Sequence, residues 1–164
     1  MRLTIRTHLA IRTLTACAVN PGRVLRKHEL AEAFCASGNH LAQVINTLGR
    51  LGYLQTVRGR KGGMRLARAP EQIRIGAVAR AFEAGTALGF CIDHAKTCCP
   101  MVRHCRLRGA LKAAVEAFYG VLDQYSLADM IRDNDGLVQF LDFDEPIVAL
   151  STPCTHSGIF AAAN

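Results

Sequence analysis

The chain has 164 residues and a net charge of +7, and this charge is unevenly distributed. Residues 1–70 contain 12 Lys/Arg against two Asp/Glu, whereas residues 71–164 contain eight against 11. A basic half favours a polyanionic partner such as double-stranded DNA, because neutralised phosphates release counterions. The sequence offers no paired carboxylates, nucleophile triad or phosphate-binding loop between a strand and a helix, so we do not expect an enzyme.

Neither end of the chain has the pattern of a membrane segment. Arginines interrupt the apolar residues at the N-terminus, and the uncharged residues 146–164 are broken by Pro146 and Pro153. A secretory signal needs an unbroken apolar run, and a spanning helix needs about 20 apolar residues. We therefore expect a cytoplasmic protein with no membrane partner, and a flexible tail over residues 143–164.

Three helices are predicted in the basic half. Residues 3–19 have an apolar stripe that stops at Pro21-Gly22, and a second helix covers about residues 27–34. Ser37 is the predicted N-cap of a third helix over residues 39–51. The predicted buried side of this third helix consists of Leu41, Val44, Ile45, Leu48 and Leu51.

Two alternating segments, residues 53–57 and 64–67, follow as strands, with a glycine-rich basic tip between them. Helix, turn, helix and then a basic hairpin predict a winged helix-turn-helix domain over residues 1–84. The outward polar side chains of the third helix are expected to contact bases, namely Asn39, His40, Gln43 and Thr47. The cations of the hairpin tip are expected to contact phosphate or the minor groove, namely Arg58, Arg60 and Lys61.

The second half of the chain predicts a cysteine-rich loop between two helical regions. A short helix near residues 73–83 precedes the loop, residues 85–106, and a long helix at about 107–125 follows it. This long helix has an apolar stripe suited to a homodimer interface: Leu107, Leu111, Ala114, Phe118, Leu122 and Tyr125. Ser126 and Asp129 form the pattern of a capping box, which opens a last short helix. Residues 107–142 are thus the expected dimerisation region of a mainly α protein.

Three cysteines in the loop, Cys91, Cys99 and Cys105, are separated by seven and five residues. Clustered thiols without an export signal favour a metal centre over disulfides, and these wide intervals favour an iron–sulfur cluster over zinc. His94 and His104 lie in the same loop, so a Cys/His zinc site remains an alternative. Cys98 is expected to be a spare thiol or a substitute ligand, because adjacent residues point in different directions.

The remaining cysteines receive different predictions. Cys17 and Cys35 lie in the predicted helical region and are expected to be buried as small apolar residues. Cys154 lies in the tail and is expected to take no part in the metal centre.

Over about residues 1–142 the chain resembles the iron–sulfur-sensing winged-helix repressors of bacteria, the NsrR/IscR type. The resemblance rests on the opening Met1-Arg2-Leu3-Thr4 and on NHLAQVINTLGRLGYLQTVRGRKGG from Asn39. It continues in the three-cysteine loop, in Cys105-Arg106-Leu107 and in SLADM from Ser126. The NHL helix and the TVRG wing are most similar to the nitric-oxide-sensing NsrR branch of this family.

The resemblance implies a homodimeric repressor that leaves its operator when nitric oxide attacks a 4Fe–4S cluster. In NsrR-like members three cysteines bind the cluster, and the partner subunit supplies an Asp at the eighth position. Here that position is His8, which is the implied fourth ligand. Because this ligand differs from the Asp of the family, a 2Fe–2S cluster is an alternative to the 4Fe–4S cluster. Iron-responsive relatives have similar cysteine spacing, so iron or redox state is an alternative signal. A zinc-stapled DNA-binding module and a small iron–sulfur redox protein are the rival functions.

Overall fold

A computed structural model describes residues 3–57, 59, 62–84, 99–101 and 104–143. We number its elements in chain order: α1 Ile5–Val19, α2 Lys27–Ala33, α3 Gly38–Arg50, β1 Leu54–Val57, β2 Gly63–Leu66, α4 Ile75–Glu83, α5 Arg106–Leu122, α6 Leu127–Ile131 and α7 Asp135–Leu141. A single 3-10 turn, Pro70–Gln72, lies between β2 and α4. This mainly helical architecture with a small hairpin confirms the predicted fold class.

Helix α1 forms the centre of the fold. Thr4 is its N-cap, and the Thr4 hydroxyl accepts a hydrogen bond from the Thr7 backbone N–H at 3.3 Å. Its buried side chains include Leu9 and Leu14, and the helix packs against α3, α4, α6 and β2. A displacement of α1 would therefore disturb α3 and the hairpin together.

Helices α2 and α3 form the helix-turn-helix. Their buried side chains fill the space under α1: Leu30, Phe34, Leu41, Val44, Ile45 and Leu48. Ser37 is the N-cap of α3, as predicted, but its side chain makes no capping hydrogen bond. The prediction that Leu51 is buried was wrong, because α3 ends at Arg50 and Leu51 is 38% exposed. The prediction for Cys35 was also wrong, since this residue is exposed, with φ 48° in the turn after α2.

Strands β1 and β2 pair antiparallel, with Leu54 opposite Leu66 and Val57 opposite Gly63. Leu25, just before α2, adds an isolated bridge to Met64, with backbone N–O distances of 2.9 and 2.8 Å. A Cβ atom on Gly63 would lie 2.2 Å from the Leu25 carbonyl oxygen. Glycine is therefore required where the hairpin meets the helix-turn-helix.

The C-terminal part of the described chain returns to the core. Ile75 donates a backbone hydrogen bond to Tyr125, and Leu127 donates one to Ile73, at 3.0 and 2.8 Å. The predicted capping box is confirmed, because the Ser126 hydroxyl accepts from the Asp129 N–H and the Asp129 carboxylate accepts from the Ser126 N–H. The long helix ends at Leu122, so the prediction that it reaches Tyr125 was too long by three residues.

Helix α7 was not predicted from the sequence. The Asn134 side chain caps it by accepting from the Leu137 N–H, and Leu141 is buried. The buried amide of Asn20, at the end of α1, donates to the Leu141 carbonyl at 2.7 Å and accepts from the Phe143 N–H at 3.3 Å. The rest of the predicted tail lies outside the described residues. Among the described helices, none is long and apolar enough to cross a membrane.

Candidate nucleic-acid interface and metal centre

The outer face of α3 carries the polar side chains that were predicted to contact bases. Asn39, His40 and Gln43 are exposed, and Asn46 is exposed on the same side. Their apolar neighbours hold the helix against α1 and α2, so this face is the only part of α3 left to solvent by the described chain. Amide and imidazole groups at this location suit the donor and acceptor pattern of a major groove.

Thr47 differs from these residues, because it is half-buried and its hydroxyl donates to the Gln43 carbonyl at 3.0 Å. Its hydroxyl proton is therefore used within the helix, as is common for Thr in helices. What Thr47 can offer to a base is a methyl group or an oxygen acceptor.

The three cations predicted to contact phosphate, Arg58, Arg60 and Lys61, lie outside the described residues. The turn between β1 and β2 is partly described, and Gly62 donates a backbone hydrogen bond to Gly59 at 2.8 Å. Gly59 has φ +108°, a backbone conformation that residues other than glycine rarely adopt. The hydrogen bond from Gly62 to Gly59 joins the two residues of the turn that the structure describes.

In the basic half of the chain, one of the few acidic side chains is engaged in contacts within the protein. Glu29 accepts from Arg23 at 2.9 Å and from the backbone N–H of Arg26 at 2.6 Å. One of the two acidic side chains in residues 1–70 is thus engaged beside α2. Lys27, Arg50 and Arg65 are exposed and contribute to a positive potential around the helix-turn-helix.

Arg68, just after β2, was not predicted as a site residue. Its Nε donates to the Gly52 carbonyl at 2.8 Å, and its Nη2 donates to the Leu51 carbonyl at 3.2 Å. Its guanidinium also lies over the Tyr53 ring, with 5.1 Å from Cζ to the ring centroid. The hairpin is thereby attached to the end of α3.

The predicted metal ligands are only partly described. Cys105 is half-buried at the N-cap of α5, while Cys99 and His8 are exposed. Cys91 lies outside the described residues, as do Cys98 and His94. Within the described part of the chain, no three His, Cys, Asp or Glu residues form a group that could hold a metal. The described chain therefore does not bring His8 together with Cys99 and Cys105.

A buried carboxylate connects the start of α1 to the end of α4. Glu83, the last residue of α4, is 7% exposed. Its Oε1 accepts from the Thr4 backbone N–H at 2.7 Å and from the Thr7 hydroxyl. The sequence signal for this role is a single acid at the end of an apolar helix, and the role of Glu83 was not predicted.

Helices α4 and α5 are joined by a second charged contact. Arg80 donates to both carboxylate oxygens of Asp123, at 2.9 and 2.5 Å, and lies 4.9 Å from the Tyr119 ring centroid. The Arg80 hydrogen bonds lower the pKa of Asp123 below its usual value, and burial raises the pKa of Tyr119. A Cβ on Gly76 would lie 2.1 Å from the Asp123 Oδ1.

Cys17 is confirmed as a buried apolar residue. It is 4% exposed in α1, and burial raises the pKa of its thiol to about 12. A thiol in this environment stays protonated near neutral pH, so Cys17 is a poor metal ligand and a poor nucleophile.

A helix-turn-helix followed by a basic hairpin, with an exposed polar face on the second helix of the motif, defines a DNA-binding regulator of transcription. The sequence model of the Rrf2 family, described as an iron-dependent transcriptional regulator, matches residues 3–133. The chain belongs to the Rrf2 family, as the resemblance predicted.

Similar proteins agree with this assignment. The chain is 42% identical over 142 residues to the HTH-type transcriptional regulator NsrR of Geobacillus kaustophilus, covering 86% of this chain and 97% of that protein. It is 38% identical over 146 residues to the regulator of the same name from Bacillus subtilis, covering 88% and 100%. The chain is therefore a DNA-binding transcriptional repressor of this family and not an enzyme.

Solved structures show the same fold. The structure of T. potens IscR matches with a TM-score of 0.62 and 25% identity, covering 81% of this chain and 88% of that one. The cysteine regulator CymR of B. subtilis matches with a TM-score of 0.57 and 20% identity, covering 79% and 95%. The second likeness supports the fold alone.

Proposed function

We propose that this repressor is a homodimer that senses nitric oxide through an iron–sulfur cluster bound by the cysteine loop. One observation carries this proposal: described residues on both sides of the central part of the loop are held in the fold. Glu83, which precedes the loop, accepts hydrogen bonds from Thr4 and from Thr7, the residue before His8 in the chain, and Cys105 is the N-cap of α5. The similarity to regulators named NsrR supports the choice of signal.

The side chains proposed as ligands are Cys91, Cys99 and Cys105 of one subunit and His8 of the other. Thiolates are the usual ligands of iron–sulfur clusters, and imidazole replaces them in some centres. Cys105 lies at the N-terminal end of a 17-residue helix, where the helix dipole favours a negatively charged group. His8 is exposed on α1, which leaves it accessible to a second subunit. These donors fit a 4Fe–4S cluster, and a 2Fe–2S cluster is the second choice.

The cluster, when bound, supplies iron atoms with which nitric oxide reacts. The protein's own residues convert this into a change in DNA binding. Helix α1 packs against both α3 and β2, so ligands on α1 and on the loop fix the recognition helices of the two subunits relative to each other. A dimer reads half-sites about 34 Å apart, and a free-energy difference of a few kcal/mol is enough to shift it away from the binding state.

Helix α5 is the proposed dimer interface. Of its 17 residues, only Tyr119 is buried, and Leu107 and Val121 are 65% and 54% exposed. Apolar side chains exposed along one helix suit an interface with a second copy. The proposal therefore divides the chain into a DNA-binding part (1–84), a cluster loop (85–106), a dimerisation part (107–142) and a tail (143–164). A cytoplasmic location belongs to the same proposal, because the DNA partner is there.

Serine substitutions test the ligand set. Cys91→Ser, Cys99→Ser and Cys105→Ser should each abolish stable cluster binding, because a serine hydroxyl is a much poorer ligand for iron than a thiolate. Cys98→Ser is the matched control and should retain the cluster. Iron and sulfide content and visible absorption after anaerobic purification are the measurements. Loss of the cluster in Cys98→Ser with retention in Cys99→Ser would move the ligand assignment by one residue.

Replacement of His8 tests the fourth ligand. His8→Ala should leave a cluster held by cysteines alone, with faster loss in air and weaker binding to a duplex selected from a random pool by the parent protein. If His8→Ala keeps the cluster stability, nitric oxide response and DNA binding of the parent, then His8 is only a surface residue. His94 or His104 would then be the next candidate for the fourth ligand.

Two alternatives are supported by other observations. The family description as an iron-dependent transcriptional regulator favours a response to iron. A zinc-stapled module without sensing is favoured by His104 close to Cys105 in the chain. A colourless anaerobic protein with stoichiometric zinc would support this last function over the proposed one.

A further inference from the structure

Arg68 connects the end of α3, the helix expected to contact bases, to the wing. We define the wing as β1, β2 and the turn between them. The two carbonyl groups that it contacts belong to Leu51, the C-cap of α3, and Gly52, the next residue. Carbonyl groups at a helix C-terminus lack partners within the helix. A guanidinium supplies two parallel donors and a charge that favours this end of the helix dipole.

Neighbouring residues fit this contact closely. Gly52 has φ +71°, and a Cβ added there would lie 3.0 Å from the Arg68 Nη2. The buried Tyr53 supplies the ring beneath the guanidinium, and its carbonyl accepts from the Ala67 N–H at 3.0 Å. The planar group is thus held by two hydrogen bonds and by stacking, which lysine cannot reproduce.

We propose that Arg68 is a positioning residue for DNA binding: it fixes the angle between helix α3 and the wing so that both contact the same duplex. Its guanidinium donates to the protein's own carbonyl groups, which separates it from the cations that neutralise phosphate. The inference rests on the DNA-binding function of the family and not on nitric oxide sensing.

DNA contacts by α3 and by the wing depend differently on the angle between these two elements. Base contacts from α3 need accurate placement in the groove, whereas cations of the wing bind any duplex through charge. If the angle between them becomes variable, the wing still finds phosphates while α3 loses its register. Specific binding should therefore fall much more than non-specific binding.

Charge-preserving variants provide the sharpest test. The full-length protein, purified anaerobically and matched for iron and sulfide content, is compared as parent, Arg68→Lys and the control Arg65→Lys. Arg65 lies on β2 of the same wing, and its Nε donates to the Gln55 side chain at 3.1 Å on the exposed surface. The probes are a duplex selected from a random pool by the parent and a scrambled duplex of equal length. Arg68→Lys should lower the ratio of the two affinities about tenfold, within the usual range for disturbed base contacts, and Arg65→Lys should leave it unchanged.

A second pair separates positioning from a phosphate contact. Arg68→Gln and Arg65→Gln remove the same charge, so a positioning role predicts equal slopes of affinity against salt concentration but a lower affinity ratio for Arg68→Gln alone. Tyr53→Leu, which removes the stacked ring but leaves Arg68, should lower the ratio in the same direction. The proposal would be overturned if Arg68→Lys kept the parental ratio of affinities for the two duplexes. It would also be overturned if Arg68→Gln lost affinity equally for both duplexes and its affinity depended less on salt than that of Arg65→Gln.

Discussion

Substitutions of Gln43 and Lys61 test how DNA binding is divided between α3 and the wing. Gln43 is exposed on the outer face of α3, and we expect Gln43→Ala to cost about 1–3 kcal/mol, concentrated at one base position. Lys61→Ala should weaken all duplexes similarly and reduce the salt dependence, since a phosphate contact carries no sequence information. Titrations of the selected duplex and its single-base variants give both quantities. Equal loss on selected and scrambled duplexes for Gln43→Ala would disprove its role in base recognition.

At single residues, prediction from the sequence succeeded where one local rule decided the outcome. Exposure of His40 and Gln43 follows from helical periodicity, and the Ser126 cap follows from its spacing to Asp129. The contacts of Arg68 and Glu83 could not be predicted, because their partners lie 16 and 79 residues away in the chain. Cys35 was placed with the predicted helical core, but α2 ends at Ala33 and Cys35 lies in the turn that follows, with φ 48°.

Among the elements, the contact between α4 and α5 should contribute stability that depends on pH. The Arg80 hydrogen bonds lower the pKa of Asp123, so the stabilisation is complete above the ordinary Asp pKa of about 4. It is lost as the pH falls through the lower pKa of the folded state. Asp123→Asn should therefore remove part of the acid dependence of the free energy of unfolding in this range, leaving a flatter curve.

Urea unfolding at a series of pH values measures this effect. The matched control is Asp133→Asn, at an exposed acid outside the helices, where asparagine tolerates the positive φ; this variant should keep the parental acid dependence. An unchanged pH profile in Asp123→Asn would show that the contact with Arg80 does not persist in solution.

The order of most elements was predictable from periodicity and turn residues, because helices such as α3 and α4 bury one face and the breaks contain Gly, Pro or a capping residue. The ends of the elements were less predictable. Helix α3 stops before Leu51, where Arg68 contacts the last carbonyl groups. Helix α7 has only seven residues, and its last carbonyl accepts from Asn20, a residue far away in the chain, so periodicity alone gave no signal.

At the scale of the whole molecule, the exposed apolar side of α5 predicts that the protein is a dimer. Leu107→Asp places a charge in the proposed interface and should shift the protein from dimer to monomer, because burying an unpaired charge is costly. Val138→Asp, on α7 and 38% exposed, is the control and should remain dimeric. Sedimentation velocity of both variants measures the change. A monomeric parent, or a dimeric Leu107→Asp, would contradict the assignment of α5.

The central claim is that a cluster held by the loop and by α1 controls DNA binding in response to nitric oxide. Its most direct test is titration of the anaerobic protein with nitric oxide, with visible absorption and binding to the selected duplex measured on the same samples. We predict that the cluster absorption and the DNA affinity decrease together as nitric oxide is added. DNA binding that persists after the absorption has changed, or that responds only to iron removal or oxidation, would contradict the claim.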